Sequence, residues 1–308
     1  MLDVTGYQEH KFSGDEFSRF HPLVNFTYFA FVLVFSMTLT HPVSQMISLV
    51  CAVFCGVSVC GLKGAVFCLK YSLPIMLITA IVNPAFSHAG LTILVYLPTG
   101  NPLTLESVLY GISAGTMLAS ILIWFMCFNS VITSDKFIYL FGKIIPSLSL
   151  MLSMTLRFIP KFKAQIEVVS EAQKCLGRNV SQGSILRHMK NAVKILSIVV
   201  TWSLENAIET ADSMKSRGYG LKGRSAFSIY RFDDRDRKMI VWIIFCGIYV
   251  LCGSMAGAFQ WQYFPRVYGV DSSCFIASFH VIYFMLCITP VIINRKENRR
   301  WKSMQSEI

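Results

Sequence analysis

Two short stretches carry residue types and positions suited to recognition chemistry. Ala172-Gln173-Lys174-Cys175-Leu176-Gly177-Arg178 closes one apolar-periodic run, and Ala211-Asp212-Ser213-Met214-Lys215-Ser216-Arg217-Gly218-Tyr219-Gly220 closes another. An arginine held at a helix tip offers a rigid fork of N–H donors to carboxylates or exposed carbonyls on a docking partner. The same residues also serve a plainer purpose. Glycine just past the last turn supplies a left-handed C-cap, and the helix dipole favours an arginine there by about 0.3 to 1 kcal/mol. Either stretch alone reads first as a cap.

Other chemistry is missing from the chain. No G-x-x-x-x-G-K-[ST] loop is present, and the glycines at Gly61/Gly64 and Gly218/Gly220/Gly223 lack its spacing, so ATP binding in the P-loop manner is excluded. Zinc-protease, nucleophile-elbow and dinucleotide fingerprints are absent too, which argues against an enzyme and implies no cofactor. The ten cysteines lie mostly in apolar stretches (Cys51, Cys55, Cys60, Cys68, Cys127, Cys246, Cys252, Cys287) and lack disulfide or zinc-site spacing. They read as small buried hydrophobes, with no metal site. Lys70 and Lys143 read as snorkelling or helix-end lysines rather than parts of an ion path. Asn83, His88 and Asn101 read as loop caps, and Gly111, Ser113, Ala114, Gly115 and Ala119 as a close-packing helix face.

Two amphipathic helices are the elements that would position the two stretches. In the first, Val168, Val169, Ala172, Cys175 and Leu176 share a face, with Lys163, Glu167, Glu171 and Lys174 opposite. In the second, Ile185, Met189, Ala192, Val193, Leu196, Val199, Val200, Leu204, Ala207, Ile208, Ala211 and Met214 recur at helical spacing against Arg187, Lys190, Lys194, Glu205, Glu209 and Asp212. A continuous helix there would be about 45 Å long. A break near Thr201 to Ser203 fits the same pattern equally well.

The setting for these helices is a bilayer. The 308 residues are 54% hydrophobic and 15% charged, with mean hydropathy +0.54; an ordinary globular domain carries about 25% charged residues. Apolar runs near the roughly 20 residues of a crossing helix fall at Leu23 to Thr40, Val43 to Cys60, Ala65 to Val82, Ser107 to Ile132, Met239 to Phe259 and Cys274 to Ile293. His41-Pro42 splits the first long run into a hairpin. The segment 137–156 reads as a broken or shallow helix pair. Residues 157–238 hold 16 Lys/Arg against 8 Asp/Glu, residues 295–302 add five basic side chains, and residues 84–106 have no Lys or Arg. That is the positive-inside asymmetry, which places both termini in the cytoplasm of a multi-pass cell-membrane protein. The first 22 residues lack the form of a cleavable signal, and no aromatic-interleaved basic patch points to nucleic acid. The expected fold is all-α: about six transmembrane helices, with long amphipathic cytoplasmic coupling helices inserted before the last two spans. The expected division is a cytoplasmic segment 1–22, transmembrane helices 23–156, a coupling region 157–238, further transmembrane helices 239–293 and a basic tail 294–308.

At its two short stretches the chain resembles the transmembrane T component of energy-coupling factor (ECF) transporters, the CbiQ/EcfT family of vitamin and metal-ion importers. That family carries a pair of Ala-Arg-Gly-like motifs at the ends of two coupling helices, and Ser216-Arg217-Gly218 resembles the second closely. Arg157-Phe158-Ile159-Pro160, Phe20-His21-Pro22-Leu23, Asn83-Pro84, Leu103-Thr104-Leu105-Glu106 and Arg224-Ser225 are also similar, over most of residues 18–240. The first motif departs: Cys175-Leu176-Gly177 has leucine at the arginine position, with Arg178 beyond the glycine. The resemblance implies a non-catalytic subunit that works with two ABC-type ATPase subunits and a small membrane-embedded S component, which captures a vitamin or transition-metal ion. It places ATPase docking at Ser216, Arg217, Gly218, Cys175, Leu176, Gly177 and Arg178. It places the coupling face at Ala172, Met189, Val193, Leu196, Val200, Leu204, Ala207 and Ala211. Two other readings of the residues stand beside it, a self-sufficient secondary transporter or channel and a membrane scaffold for an acidic cytoplasmic partner.

Overall fold

The computed structural model describes residues 16–87, 89–96, 102–142, 145–176, 185–219, 230–269 and 274–306. Nine α-helices run through these segments: α1 (Pro22–Thr38), α2 (Pro42–Phe67), α3 (Leu73–Phe86), α4 (Leu105–Val131), α5 (Ser134–Gly142), α6 (Pro146–Cys175), α7 (Ile185–Ser216), α8 (Asp234–Met255) and α9 (Cys274–Ser306). Two small antiparallel hairpins, β1 (Ile93–Tyr96) with β2 (Pro102–Thr104) and β3 (Trp261–Gln262) with β4 (Tyr268–Gly269), complete the described elements. The chain divides into one compact unit of residues 1–136 and 230–308 and a second of residues 137–229.

Five stretches of the first unit are helical, long and apolar enough to cross a bilayer: Pro42–Gly61, Gly64–Phe86, Leu105–Val131, Asp234–Met255 and Cys274–Gln305. The sixth apolar helix, α1, has 17 residues. The His-Pro pairs begin helices as well as ending runs. His21 and His41 each stand at an N-cap with Nδ1 accepting from the N–H two residues on, at 3.2 and 3.3 Å, and the prolines take the first helical position, where a missing N–H costs nothing. The second and third spans part at Gly61, whose φ of +61° is open to glycine and strained for other residues. Eight residues after Gly56, Gly64 lies so close to it that a Cβ would fall 2.2 Å from the Gly56 carbonyl oxygen. A straight helix would separate these residues by about 12 Å, so the chain reverses here. A π-helical turn at Cys68–Ser72 precedes Pro74 and absorbs the missing donor.

Helices α1, α2, α4, α8 and α9 each turn a stripe inward. Val24, Tyr28, Val32 and Phe35 of α1 meet Ile123, Trp124 and Cys127 of α4, together with Tyr283, Leu286 and Cys287 of α9, all essentially unexposed. Two large polar rings inside the bundle are matched: Tyr28 Oη donates to the Cys287 carbonyl at 2.9 Å, and Trp124 Nε1 to Ser48 Oγ at 3.1 Å. Gly111 and Gly115 of α4 sit against α3, where a Cβ would come within 3.2 and 3.0 Å of Ala80 and Met76 backbone atoms. The outward faces carry Phe54, Leu77, Ile81, Leu118 and Phe245, side chains suited to lipid. Cys252, expected to be buried, is exposed among them, because it points away from the stripe of Cys246 and Val250. Asn83, expected as a loop cap, lies within α3. His88, Asn101 and Lys143 lie outside the described residues. Lys70 is exposed, its Nζ 5.6 Å from the Tyr71 ring.

A single turn before α1 ties this unit together. In the 3-10 turn Glu16–Arg19, Phe17 N–H donates to Asn294 Oδ1 of α9 at 3.0 Å, and the following His21 N–H donates to Asp236 Oδ1 of α8 at 3.0 Å. Lys136, only 7% exposed, directs its ammonium at the Val131 carbonyl (2.9 Å), Ser18 Oγ (3.2 Å) and the Ser18 carbonyl. A buried ammonium is tolerable only when oxygen acceptors surround it, and here the turn and the C-terminal end of α4 supply them.

Candidate functional site

Both stretches singled out by sequence fall in the second unit, at the ends of α6 and α7. The segment 137–156, expected as a broken or shallow pair, is shared between α5, which ends at Gly142, and α6, one element of 30 residues that starts at Pro146 and runs on through Pro160 into the first amphipathic helix. Its partner α7 is unbroken over 32 residues. Thr201 Oγ1 donates to the Ser197 carbonyl and Ser203 Oγ to that of Val200, at 3.1 and 2.7 Å. These polar side chains bond back along the helix instead of interrupting it.

The two helices pair antiparallel along a narrow seam. The Phe162 ring meets Trp202 edge-on at 6.0 Å, and Lys161 donates from Nζ to Asn206 Oδ1 at 3.2 Å while lying 5.5 Å from the Trp202 ring. Further along, Val169 of α6 is buried with Ile195 and Val199 of α7. Sequence periodicity pointed to Val169 and Val199 but missed the aromatic and lysine contacts. Their one local signal is the Phe158/Phe162 pair at i,i+4, stacked at 5.8 Å.

The remaining apolar residues of α7 do not face that seam. Met189, Val193, Leu196, Val200, Leu204 and Ile208 are between 46% and 65% exposed, and Ala207 and Ala211 are exposed beside them, as is Ala172 on α6. At 3.6 residues per turn, this stripe is centred about 130° round the helix from Ile195 and Val199. The apolar face read from sequence is therefore two faces. One is buried against α6, and the wider one is uncovered along most of α7.

The two tips differ in what they display. At the end of α7, Gly218 has φ +78°. Its N–H donates to the Lys215 carbonyl at 3.0 Å, and Tyr219 N–H donates to that of Met214 at 3.0 Å. This 5→2 and 6→1 pattern is a Schellman cap. It leaves Arg217 as the C-cap residue, exposed and without an ion pair among the described residues, beside exposed Ser216. The capping and display roles weighed from sequence are thus compatible, because the glycine makes the cap while the arginine side chain stays available. At the end of α6, Cys175 is exposed and Leu176, the C-cap, is 66% exposed, its N–H donating to the Ala172 carbonyl at 3.3 Å. Gly177 and Arg178 lie outside the described residues.

Comparison with known proteins gives this geometry a context. The family model described as CbiQ, cobalt transport protein, matches residues 18–229. The chain is similar to the energy-coupling factor transporter transmembrane protein EcfT of Lactococcus lactis, with 34% identity over 108 residues, 35% of this chain and 41% of that protein. The EcfT 1 protein of Listeria monocytogenes is 26% identical over 214 residues, 63% of this chain and 78% of its own length. The EcfT protein of Streptococcus equi is 28% identical over 106 residues, 34% of this chain and 39% of its own.

Proposed function

Because this chain belongs to the CbiQ family of cobalt transport proteins, we propose that it is the energy-coupling transmembrane subunit of an energy-coupling factor importer. In this reading it passes the motion of two cytoplasmic ATPases to a substrate-capturing membrane subunit. The observation that carries the reading is α7 itself, a 32-residue lever with an uncovered apolar stripe along its length and a capped, cation-bearing tip. A stripe of six large apolar side chains left outside the core marks a contact surface, and the residues Met189, Val193, Leu196, Val200, Leu204, Ala207 and Ala211, with Ala172 of α6, are its proposed members. Residues 157–238 then lie on the cytoplasmic side, as the charge distribution expects.

Docking to the ATPases falls to the tips. Arg217, framed by Ser216 and Gly218, presents a fork that fits a carboxylate or a row of carbonyls. Cys175 and Leu176, followed by Gly177 and Arg178, offer an apolar tip first and a cation only beyond it, so the two docking contacts are unequal. ATP hydrolysis belongs to the partners, and the captured cargo, a vitamin or a transition-metal ion, is selected by the S component. The test is Arg217→Glu in cells that express the whole assembly. Co-purification of the ATPases with the tagged chain, and substrate uptake, are both expected to fall at least tenfold, since breaking a charged docking contact costs 2 kcal/mol or more, on the order of a thirtyfold loss. Retention of both activities would sink the assignment.

A further inference from the structure

At the end of the first unit where the N-terminal turn is pinned, α8 and α9 each pass from a basic to an apolar run within one turn. On α8, exposed Arg235, Arg237 and Lys238 stand immediately before Met239, and on α9, exposed Arg295, Lys296 and Arg299 follow Ile293 and Asn294 directly. The two boundaries meet at one place, because Asp236 holds the His21 N–H and Asn294 holds the Phe17 N–H of the same turn. Asp236 and Asn294, 58 residues apart in sequence, thus bring the cations of their two helices to one depth.

Among the described residues, little acid is available to neutralise them. Glu16 is paired with Arg19, Glu297 with Arg300 at 3.1 Å, and Asp234 stands 3.9 Å from Arg237. Both oxygens of Asp236 accept backbone N–H groups, from His21 and Asp233. Arg235 lies over the Phe20 ring at 4.3 Å, while Lys238, Arg295, Lys296 and Arg299 have no acidic partner among the described residues. Beyond the bilayer edge α9 stays helical to Ser306. Its basic residues 295, 296, 299 and 300 span about 140° of the helix at 3.6 residues per turn.

We propose that this cationic collar binds the phosphate headgroups of anionic phospholipids, and that it anchors the pinned end of the first unit at the membrane surface. Depth decides between lipid and a soluble acidic partner. Cations within one turn of a bilayer-crossing apolar segment lie in the headgroup layer, where a phosphate is already present and a folded protein surface is not. The proposal is independent of the docking assignment at Arg217.

The test uses the whole chain in nanodiscs of phosphatidylcholine with or without 30 mol% phosphatidylglycerol, released for native mass spectrometry. Phosphatidylglycerol is expected to be retained over phosphatidylcholine, and the preference is expected to fall as salt rises. Each cation removed should weaken it roughly fivefold at low salt, so Arg299→Gln gives a partial loss and the combined Lys238→Gln, Arg295→Gln, Lys296→Gln, Arg299→Gln variant a complete one. Equal retention of both lipids by the unaltered chain, or displacement by millimolar inorganic phosphate, would overturn the proposal. So would an unchanged preference in the combined variant. The salt titration on the unaltered chain decides the matter even if that variant does not fold.

Discussion

The unit of residues 1–136 and 230–308 and the unit of residues 137–229 handle their apolar side chains in opposite ways. In the first, Trp124, Tyr28, Tyr283, Phe29 and Phe35 are closed off against one another, and α1, α2, α4, α8 and α9 all contribute to one core. In the second, the described buried cluster is Val169, Ile195 and Val199, and larger side chains such as Leu204 and Ile208 remain outside. Both are built from helices of comparable length, so length does not explain the contrast. The first unit gains its order from within, while the second leaves most of its apolar surface uncovered among the described residues. The lever proposed above, engaging a partner and moved by others, would have reason to keep that surface open.

The widest gap between the units is expected for Trp124→Ala. The indole is unexposed, donates to Ser48 and stands 6.3 Å edge-on from Tyr28. Lipid tails solvate apolar groups as well as a core does, so the loss is one of packing and of the hydrogen bond more than of burial from water. A destabilisation on the order of 3 kcal/mol is expected, read as a lower unfolding temperature in mild detergent. Amide exchange on α6 and α7 that rose as much as on α4 would show that the division into two units has no energetic meaning.

Next in size is Lys136→Met, which keeps the length of the side chain and removes the ammonium. The Val131 carbonyl and both oxygens of Ser18 would lose their common donor, at a cost of about 2 kcal/mol for the stranded acceptors. Exchange should quicken first in residues 16–21. If that turn stayed as protected as before, Asn294 and Asp236 would be holding it without Lys136.

These pins also mark the limit of what the sequence reveals. Spans are legible because a crossing helix needs an apolar run of fixed length, and the cap at Gly218 because only a glycine takes φ +78° without strain. The reversal at Gly61 needed only the break between two such runs. No local pattern, however, announces that Asn294 will meet Phe17 across 277 residues or Asp236 will meet His21 across 215. The continuity of α6 through Pro160 was hidden for a related reason. Proline removes one N–H and crowds the preceding turn, yet its fixed φ is itself helical, so α6 continues through a residue that reads as an end. The division of the α7 apolar face into seam and open stripe was hidden as well, since periodicity gives the face but not what lies against it.

A smaller effect is expected where the second unit does hold itself together. Phe162→Ala and Trp202→Ala, singly and combined, should return a coupling of about 0.5 to 1.5 kcal/mol, the usual range for an edge-on aromatic pair. The readout is amide exchange confined to α6 and α7, because global unfolding reports the first unit. A coupling near zero would mean that Lys161 with Asn206 and the Val169 cluster carry the seam alone.

The smallest effect on stability should accompany a clear effect on assembly. Leu204→Gln replaces a side chain 61% exposed on the open stripe, and an exposed substitution away from caps and core changes stability by no more than about 0.5 kcal/mol. Unfolding of the isolated chain should therefore be nearly unaltered, whereas co-purification of the membrane-embedded capture subunit should drop severalfold, because the glutamine must be desolvated against an apolar partner. Ile195→Gln is the matched control on the seam. It is 7% exposed in the native chain, and should destabilise the α6–α7 pair itself. If Leu204→Gln lowered stability as much as Ile195→Gln, the stripe would be packing surface and the contrast between the two faces of α7 would collapse.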